Sequence, residues 1–202
     1  MEKDLLQMPG YRYGEYLLIL NPHEELRNKV TGIRKAFHEN YEGAAVYAGK
    51  PNIPLVKFVA WDMMEERILN RLKIVAMGTT PFKVLLKDYG SLHSHTIYIN
   101  ITTKVPIDNL VKELRSARKL MKSPDYEPYF LKEPHLTIAG KMNPVQYEKA
   151  WQEYSRKSFT GSFIADAMLL LKRRPGKKPY QVVQRFDFMN LPVSTRQGEL
   201  FA

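Results

Sequence analysis

Strand-like and helix-like patterns alternate along this chain in one order that occurs twice. In the first half, strand patterns cover 15–22, 52–60 and 81–90, and helical spacing of apolar residues covers 23–41 and 63–77. The second half has strands at 95–102 and 135–140, helices at 106–121 and 143–157, and a closing hairpin over 163–189 that turns at Pro175-Gly176. The middle strands align with an offset of 83 residues (135 − 52) and the first strands with an offset of 79 (96 − 17). Because the two offsets differ only by the size of a loop, the pattern favours an internal duplication.

The duplication predicts an α+β fold with two pseudo-twofold-related lobes around a central cleft, each lobe an antiparallel sheet with outer helices. We expect a single domain over 1–202, with lobe 1 at about 15–90 and lobe 2 at about 95–190. Alternating strands and helices are also compatible with a parallel doubly wound sheet. Against that alternative, no strand is followed by a Gly-rich phosphate loop, and the closing hairpin is antiparallel.

The charge of the chain indicates the chemistry of its partners. Its 202 residues include 31 Lys and Arg against 21 Asp and Glu, a net charge of +10. Such a field attracts phosphorylated ligands, although a basic surface that serves solubility is an equal alternative. No apolar run approaches the ~20 residues of a membrane span, and the first residues lack the apolar core of a secretory signal. With no Cys to form disulfides, we expect a cytoplasmic protein without a membrane partner.

The run EPHLTIAG at 133–140 contains the clearest candidates for chemistry. Residues two apart in a strand point the same way, so His135 and Thr137 share one face while Leu136 and Ile138 face the core. An imidazole can exchange a proton near neutral pH, and a nearby hydroxyl can hydrogen-bond a phosphoryl oxygen held beside it. An isolated His-x-Thr is common by chance, and a surface-facing pair without a function is the alternative.

The duplicated pattern and PHLTIAG together resemble the 2H phosphoesterase superfamily, the 2′-5′ RNA ligase-like and cyclic nucleotide phosphodiesterase-like proteins. The resemblance covers roughly residues 15–190. It implies two lobes that each present one His-x-Thr/Ser from a central strand to the cleft. It also implies that one His is a general base and the other a general acid on a 2′,3′-cyclic phosphate or related ester. The hydroxyls would hold the phosphate, with no metal or other cofactor required.

By the same resemblance, the first motif of this chain is degenerate. KPNIPLVKF places Asn52 at the His site and Pro54 at the hydroxyl site. Asn cannot exchange a proton near pH 7, but its amide can donate a hydrogen bond to a phosphate. Pro54 has neither a hydroxyl nor a backbone N–H and would interrupt a strand ladder. Since the loss of a general acid or base typically costs ~10²–10⁴-fold in rate, we expect impaired catalysis by His135 and Thr137, with Asn52 binding substrate.

Two histidines near the start of the second half are candidates to replace the missing imidazole. His93 and His95 lie in SLHSHTIYI, where a turn and a strand edge explain them adequately. His95 is the minority hypothesis, in which its ring reaches the cleft from a neighbouring strand and contacts the substrate.

Aromatic and cationic residues give three further substrate-binding candidates. Arg174 and Tyr180 lie in the hairpin tip KRRPGKKPY (172–180), which could hold a nucleic-acid backbone or stack a base, or could be a solvated turn. Tyr129 precedes the His135 strand and either borders the cleft or covers the core.

Three functions are compatible with these residues. The first is a phosphodiesterase or RNA ligase-like enzyme that acts on nucleotide or RNA 2′,3′-cyclic phosphates. The second is a non-catalytic module that binds a nucleotide or an RNA end, and the third is an interaction protein that uses only the scaffold. The expected partner is an RNA end or a nucleotide phosphate, bound by a monomer.

Overall fold

Two five-stranded antiparallel sheets form the framework of the protein. The structure is a computed structural model and describes residues 11–41, 44–46, 49–92, 95–177 and 179–191. The strands are β1 (Tyr13–Leu20), β2 (Ala45–Val46), β3 (Ile53–Trp61), β4 (Phe82–Leu92), β5 (Thr96–Ile101), β6 (Tyr129–Phe130), β7 (His135–Gly140), β8 (Thr160–Ala165), β9 (Ala167–Arg173) and β10 (Gln181–Asp187). Sheet A has the order β10-β9-β1-β3-β6 and sheet B the order β2-β7-β5-β4-β8. The antiparallel α+β architecture predicted from the sequence is therefore confirmed.

Helices cover one face of each sheet. They are α1 (Glu24–Asn40), α2 (Glu65–Gly78), α3 (Val105–Leu114), α4 (Arg118–Met121) and α5 (Pro144–Tyr154). Helix α1 packs against β7 and β8 of sheet B, while α2 packs against β10 and α4 against β3 of sheet A. The expected helix over 106–121 is divided by a 3-10 turn at Arg115–Ala117. None of the helices in the described ranges is long and apolar enough to span a membrane.

The helix ends follow from local sequence. Asn143 caps α5 by accepting a hydrogen bond from the Gln146 backbone, and the Gln146 side chain bonds back to the Asn143 N–H. Glu24 and Glu25 lie in the first turn of α1, where the helix dipole favours negative charge.

The two sheets do not follow the two halves of the chain. Strand β4 comes from the first half but lies in sheet B between β5 and β8, and β9 and β10 of the second half extend sheet A beside β1. The predicted hairpin over 163–189 is divided at Asp166, because the residues before it pair with β4 and those after it with β1. This exchange gives the first strand of each half a partner on both sides, so that neither is left as an open edge.

The register of the strands preserves the predicted duplication. Strand β1 pairs with β3 in sheet A as β5 pairs with β7 in sheet B. Pro54 lies opposite Ile19, and Thr137 lies opposite Tyr98. Thr137 lies 83 residues after Pro54, and Tyr98 lies 79 residues after Ile19. These are the offsets that align the middle strands and the first strands of the two halves. Pro54 and Thr137 therefore occupy equivalent positions.

Alternation along β7 separates the core from the cleft. Leu136 and Ile138 are fully buried under the helices, as the sequence predicts. His135 and Thr137 point to the opposite face and are partly exposed. We expect this partly exposed face of sheet B to border the cleft.

Candidate active site

His135 is the first residue of β7 and is held in one tautomer by its own chain. Its Nδ1 lies 2.9 Å from the backbone oxygen of Glu133. Because a carbonyl oxygen only accepts, Nδ1 carries the proton in the neutral ring, and Nε2 keeps its lone pair. Burial lowers the pKa of His135 below its usual 6.5, although the carbonyl and the negative charge of Glu133 oppose that shift. The ring is thus a neutral proton acceptor near pH 7.

A buried arginine fixes the backbone of the same motif. Arg34 of α1 is only 7% exposed. Its Nε and Nη2 donate to the carbonyl oxygen of Thr137 at 3.1 and 2.6 Å, and its Nη1 donates to the carbonyl oxygen of Gly49 at 2.8 Å. One guanidinium therefore connects the His135 strand to the segment that leads into Asn52.

Two further side chains that sequence reasoning missed share the cleft face with His135. Asn100 on β5 lies opposite His135, and Tyr98 lies opposite Thr137. The ring of Tyr98 is centred 4.8 Å from the His135 ring, at an interplanar angle of 46°. Both residues could have been predicted from the alternation in TIYINI, provided that the first and middle strands of the second half are taken as neighbours.

Asn52 and Pro54, at the start of β3, offer fewer side-chain groups that can transfer a proton or donate a hydrogen bond. Asn52 donates from Nδ2 to the carbonyl oxygen of Lys50 at 2.8 Å, which uses one of its two amide N–H groups locally. Pro54 is exposed and lies beside a shift of the β1–β3 register between Leu18 and Ile19. A proline is tolerated at such an irregularity because no ladder hydrogen bond from its nitrogen is required there.

His95 immediately precedes β5, at the opposite end of that strand from Asn100. Asn100 is the partner of His135, and His95 comes five positions before Asn100 in the chain, about 16 Å at the rise of a strand. Its ring instead packs 5.0 Å from the ring of Tyr147 on α5. The other candidate of this kind, His93, lies outside the described residues.

The hairpin candidates are engaged in contacts with sheet A. Arg174 donates from Nη1 to both carboxylate oxygens of Asp62, at 3.0 and 2.7 Å. Tyr180 packs under the guanidinium of Arg173, 4.5 Å from the ring centre, and Arg173 also pairs with Glu15 at 2.6 Å. These interactions stabilise the sheet end of the hairpin. The hairpin residue Lys178 lies outside the described residues.

Tyr129 is presented to solvent. It is 59% exposed and lies opposite Lys57, at the β6 edge of sheet A. Like Pro54, it belongs to sheet A.

A cavity of about 520 Å³ lies directly beside His135. Tyr98, Asn100, Lys87 and Lys104 contribute to its walls. In the part of the chain that the structure describes, no three His, Asp or Glu side chains are grouped closely enough to hold a metal ion.

The sequence matches the 2′-5′ RNA ligase superfamily over residues 22–177, more than half of the chain. The protein belongs to this superfamily. The matched range includes both middle strands, β3 and β7. No curated protein matches the sequence.

Solved structures share the fold of this 2′-5′ RNA ligase superfamily member. Escherichia coli LigT complexed with 3′-AMP is 17% identical, with a TM-score of 0.63 over 87% of this chain and 98% of LigT. LigT complexed with NADP+ is 15% identical, with a TM-score of 0.61 over 88% and 99%. TT0787 of Thermus thermophilus is 14% identical, with a TM-score of 0.63 over 87% and 98%. At these identities the likeness establishes the two-lobed architecture around the cleft.

Proposed function

We propose that this protein is a phosphodiesterase-type enzyme that acts on the 2′,3′-cyclic phosphate of a nucleotide or an RNA end, with His135 as its general base. The observation that carries the proposal is the state of His135, a neutral ring whose protonated Nδ1 is bonded to the Glu133 carbonyl oxygen, on the partly exposed strand face that also carries Thr137. Membership of the 2′-5′ RNA ligase superfamily supports the choice of substrate. The LigT structures with 3′-AMP, NADP+ and ATP are further support, since they are complexes of this fold with nucleotides.

Hydrolysis would use the side chains of β7 directly. Nε2 of His135 takes a proton from water as the water oxygen bonds to phosphorus, and the bond from phosphorus to one ribose oxygen breaks. The Thr137 hydroxyl donates a hydrogen bond to a phosphoryl oxygen, and the second amide N–H of Asn52 is available for another. The leaving ribose oxygen takes its proton from solvent. Turnover is therefore expected to be ~10²–10⁴-fold slower than with a two-histidine pair.

The proposal is tested by assaying 2′,3′-cyclic nucleotides and oligonucleotides that end in a cyclic phosphate. The wild type is expected to hydrolyse them slowly, and His135→Ala to reduce the rate at least ~100-fold. Asn52→His combined with Pro54→Thr is expected to raise the rate, because it adds an imidazole and a hydroxyl at the degenerate motif. His38→Ala, at an exposed position near the end of α1, is the control histidine. Equal turnover by wild type and His135→Ala would contradict the assignment.

A non-catalytic module for nucleotides or RNA ends is the second candidate. It is favoured by the first motif, where Pro54 provides no donor and Asn52 uses one amide N–H on Lys50. In the same assay, tight binding without turnover in any variant would identify this module. Absence of affinity for every nucleotide and oligonucleotide would leave only a scaffold role.

A further inference from the structure

Four aromatic rings form a continuous cluster at one end of sheet A. The rings of Tyr13 and Trp61, which lie opposite each other on β1 and β3, are stacked with their centres 3.7 Å apart. Tyr11 contacts Trp61 edge-on at 6.1 Å, and Tyr126 contacts Tyr13 edge-on at 6.3 Å. We call these four residues the aromatic platform. Trp61 lies seven positions after Pro54, about 23 Å along the strand, so the platform is separate from the motif positions.

The platform lies on the face of sheet A that the helices do not cover. Tyr16 of β1 is fully buried, and its hydroxyl donates to Glu65 of α2 at 2.7 Å. Because Tyr13 is an odd number of positions from Tyr16, alternation places it on the opposite face. The outer rings, Tyr11 and Tyr126, are 41% and 51% exposed. An exposed aromatic cluster of this kind is typical of an interaction surface.

Backbone and side-chain hydrogen bonds hold the platform in place. The backbones of Ser123 and Tyr126 exchange two hydrogen bonds, at 3.1 and 3.2 Å, in a tight turn that positions the Tyr126 ring. Arg174 of the hairpin tip donates to the Asp62 carboxylate at 2.7 Å and to the Tyr13 carbonyl oxygen at 3.3 Å. The hairpin tip is therefore fixed beside the rings. Such ordering before binding reduces the entropic cost of binding a ligand.

The charges near the platform are compatible with a phosphate backbone. The Asp62 carboxylate is paired with Arg174, and Lys177 of the same hairpin tip is exposed. Burial, followed by the negative charge of Asp125, raises the pKa of Tyr13, so one carboxylate also lies at the platform. The chain as a whole has a net charge of +10, which attracts polyanions. Exposed rings beside cations are the combination that binds single-stranded nucleic acid.

We propose that the aromatic platform binds the single-stranded body of an RNA whose end lies at His135. Bases stack on the exposed rings of Tyr11 and Tyr126, and the phosphates between them lie near Lys177. This inference rests on the proposed function, because it places the RNA end at His135. It makes the substrate an RNA strand of several nucleotides rather than a free mononucleotide.

The fluorescence of Trp61 tests the platform directly, since the chain has only two Trp residues. In Trp151→Phe, Trp61 is the remaining one. A single-stranded oligoadenylate of about 8 nucleotides, within the site size of single-strand-binding folds, is expected to quench it. This oligonucleotide ends in a 3′-hydroxyl and has no cyclic ester, so binding is measured without turnover. AMP should require at least about 10-fold higher concentrations for the same quenching. Trp61→Phe, which retains Trp151, should show no quenching.

Tyr11→Ser combined with Tyr126→Ser, in the Trp151→Phe background, should weaken oligonucleotide binding about 10- to 100-fold, because both exposed stacking rings are lost. Val145→Ser on α5 is the control for loss of an exposed apolar side chain, since Val145 is 62% exposed, and it should leave the affinity unchanged. Thermal unfolding verifies that each variant is folded, and Tyr126→Ser alone decides the result if the double variant is not.

Hydrolysis of 2′,3′-cyclic mononucleotides is measured in parallel. Absence of quenching, or unchanged affinity in the tyrosine variants, would overturn the platform, and hydrolysis that persists in that case leaves the proposed function intact. Quenching that depends on the two tyrosines without any hydrolysis would support the platform as an RNA-binding surface and contradict the proposed function.

Discussion

His135 shows how one residue is prepared for proton transfer by its immediate surroundings. Burial of the ring lowers the pKa of His135, so the neutral base is maintained below the usual 6.5. We therefore expect the acidic limb of the pH profile of kcat/KM to have a midpoint below 6.5, since protonation removes the proton acceptor. NMR titration of the His135 ring measures the same midpoint directly. A midpoint at or above the usual value would contradict the assignment.

Glu133 provides an internal check on that prediction. Its negative charge raises the pKa of His135 against the effect of burial. Glu133→Gln should therefore move the midpoint to a still lower pH. The free energy of unfolding should also decrease as the pH falls below about 6.5, because the unfolded chain binds the proton of this histidine more tightly than the folded chain.

At this scale the sequence predicts half of the site. His135 and Thr137 follow from alternation in one strand, and both lie on the partly exposed face of β7. Tyr98 and Asn100 require knowledge of which strand lies beside β7. Such information arises from tertiary pairing and is not present in a local pattern.

Between elements, Arg34 is the main polar connection of α1 to the site strand. Replacing it with Met is expected to reduce the free energy of unfolding by about 2–4 kcal/mol, because charge-assisted hydrogen bonds to the Thr137 and Gly49 carbonyl oxygens are lost. Urea unfolding provides the measurement. Lys35→Met is the matched control on the same helix, since Lys35 is 78% exposed and its pair with Glu39 is 3.9 Å long. Equal losses in the two variants would show that the connection does not stabilise the fold.

The order of helices and main strands is predicted from periodicity, but their assignment to sheets is not. The alternation of apolar residues in β4 and β9 does not indicate which of the two sheets each strand joins. The two-residue strands β2 and β6 are too short to leave a periodic pattern. The sequence pattern over 163–189 predicts one hairpin of two continuous strands, but the chain passes from sheet B to sheet A at Asp166.

For the whole molecule, the strand exchange makes the two halves mutually dependent. An isolated fragment of residues 1–92 would lack β5 and β8, which are the two partners of β4. It would also lack β9, one of the two partners of β1. In an isolated fragment of residues 93–202, β9 and β10 would lack β1 and β3, the other long strands of sheet A. Each half would expose unpaired strand edges and apolar surface that the other half covers.

We therefore expect neither fragment, 1–92 or 93–202, to show a cooperative unfolding transition when expressed alone. Mixing the two should restore the circular dichroism spectrum and the thermal transition of the intact chain, because the exchanged strands can then pair. The full-length protein is the reference for both measurements. Contiguous lobes would behave differently, since each would keep its own sheet. A dispersed NMR spectrum and a cooperative transition for fragment 1–92 alone would thus contradict the exchanged topology, whereas recovery only on mixing would support a cleft assembled from both halves of the chain.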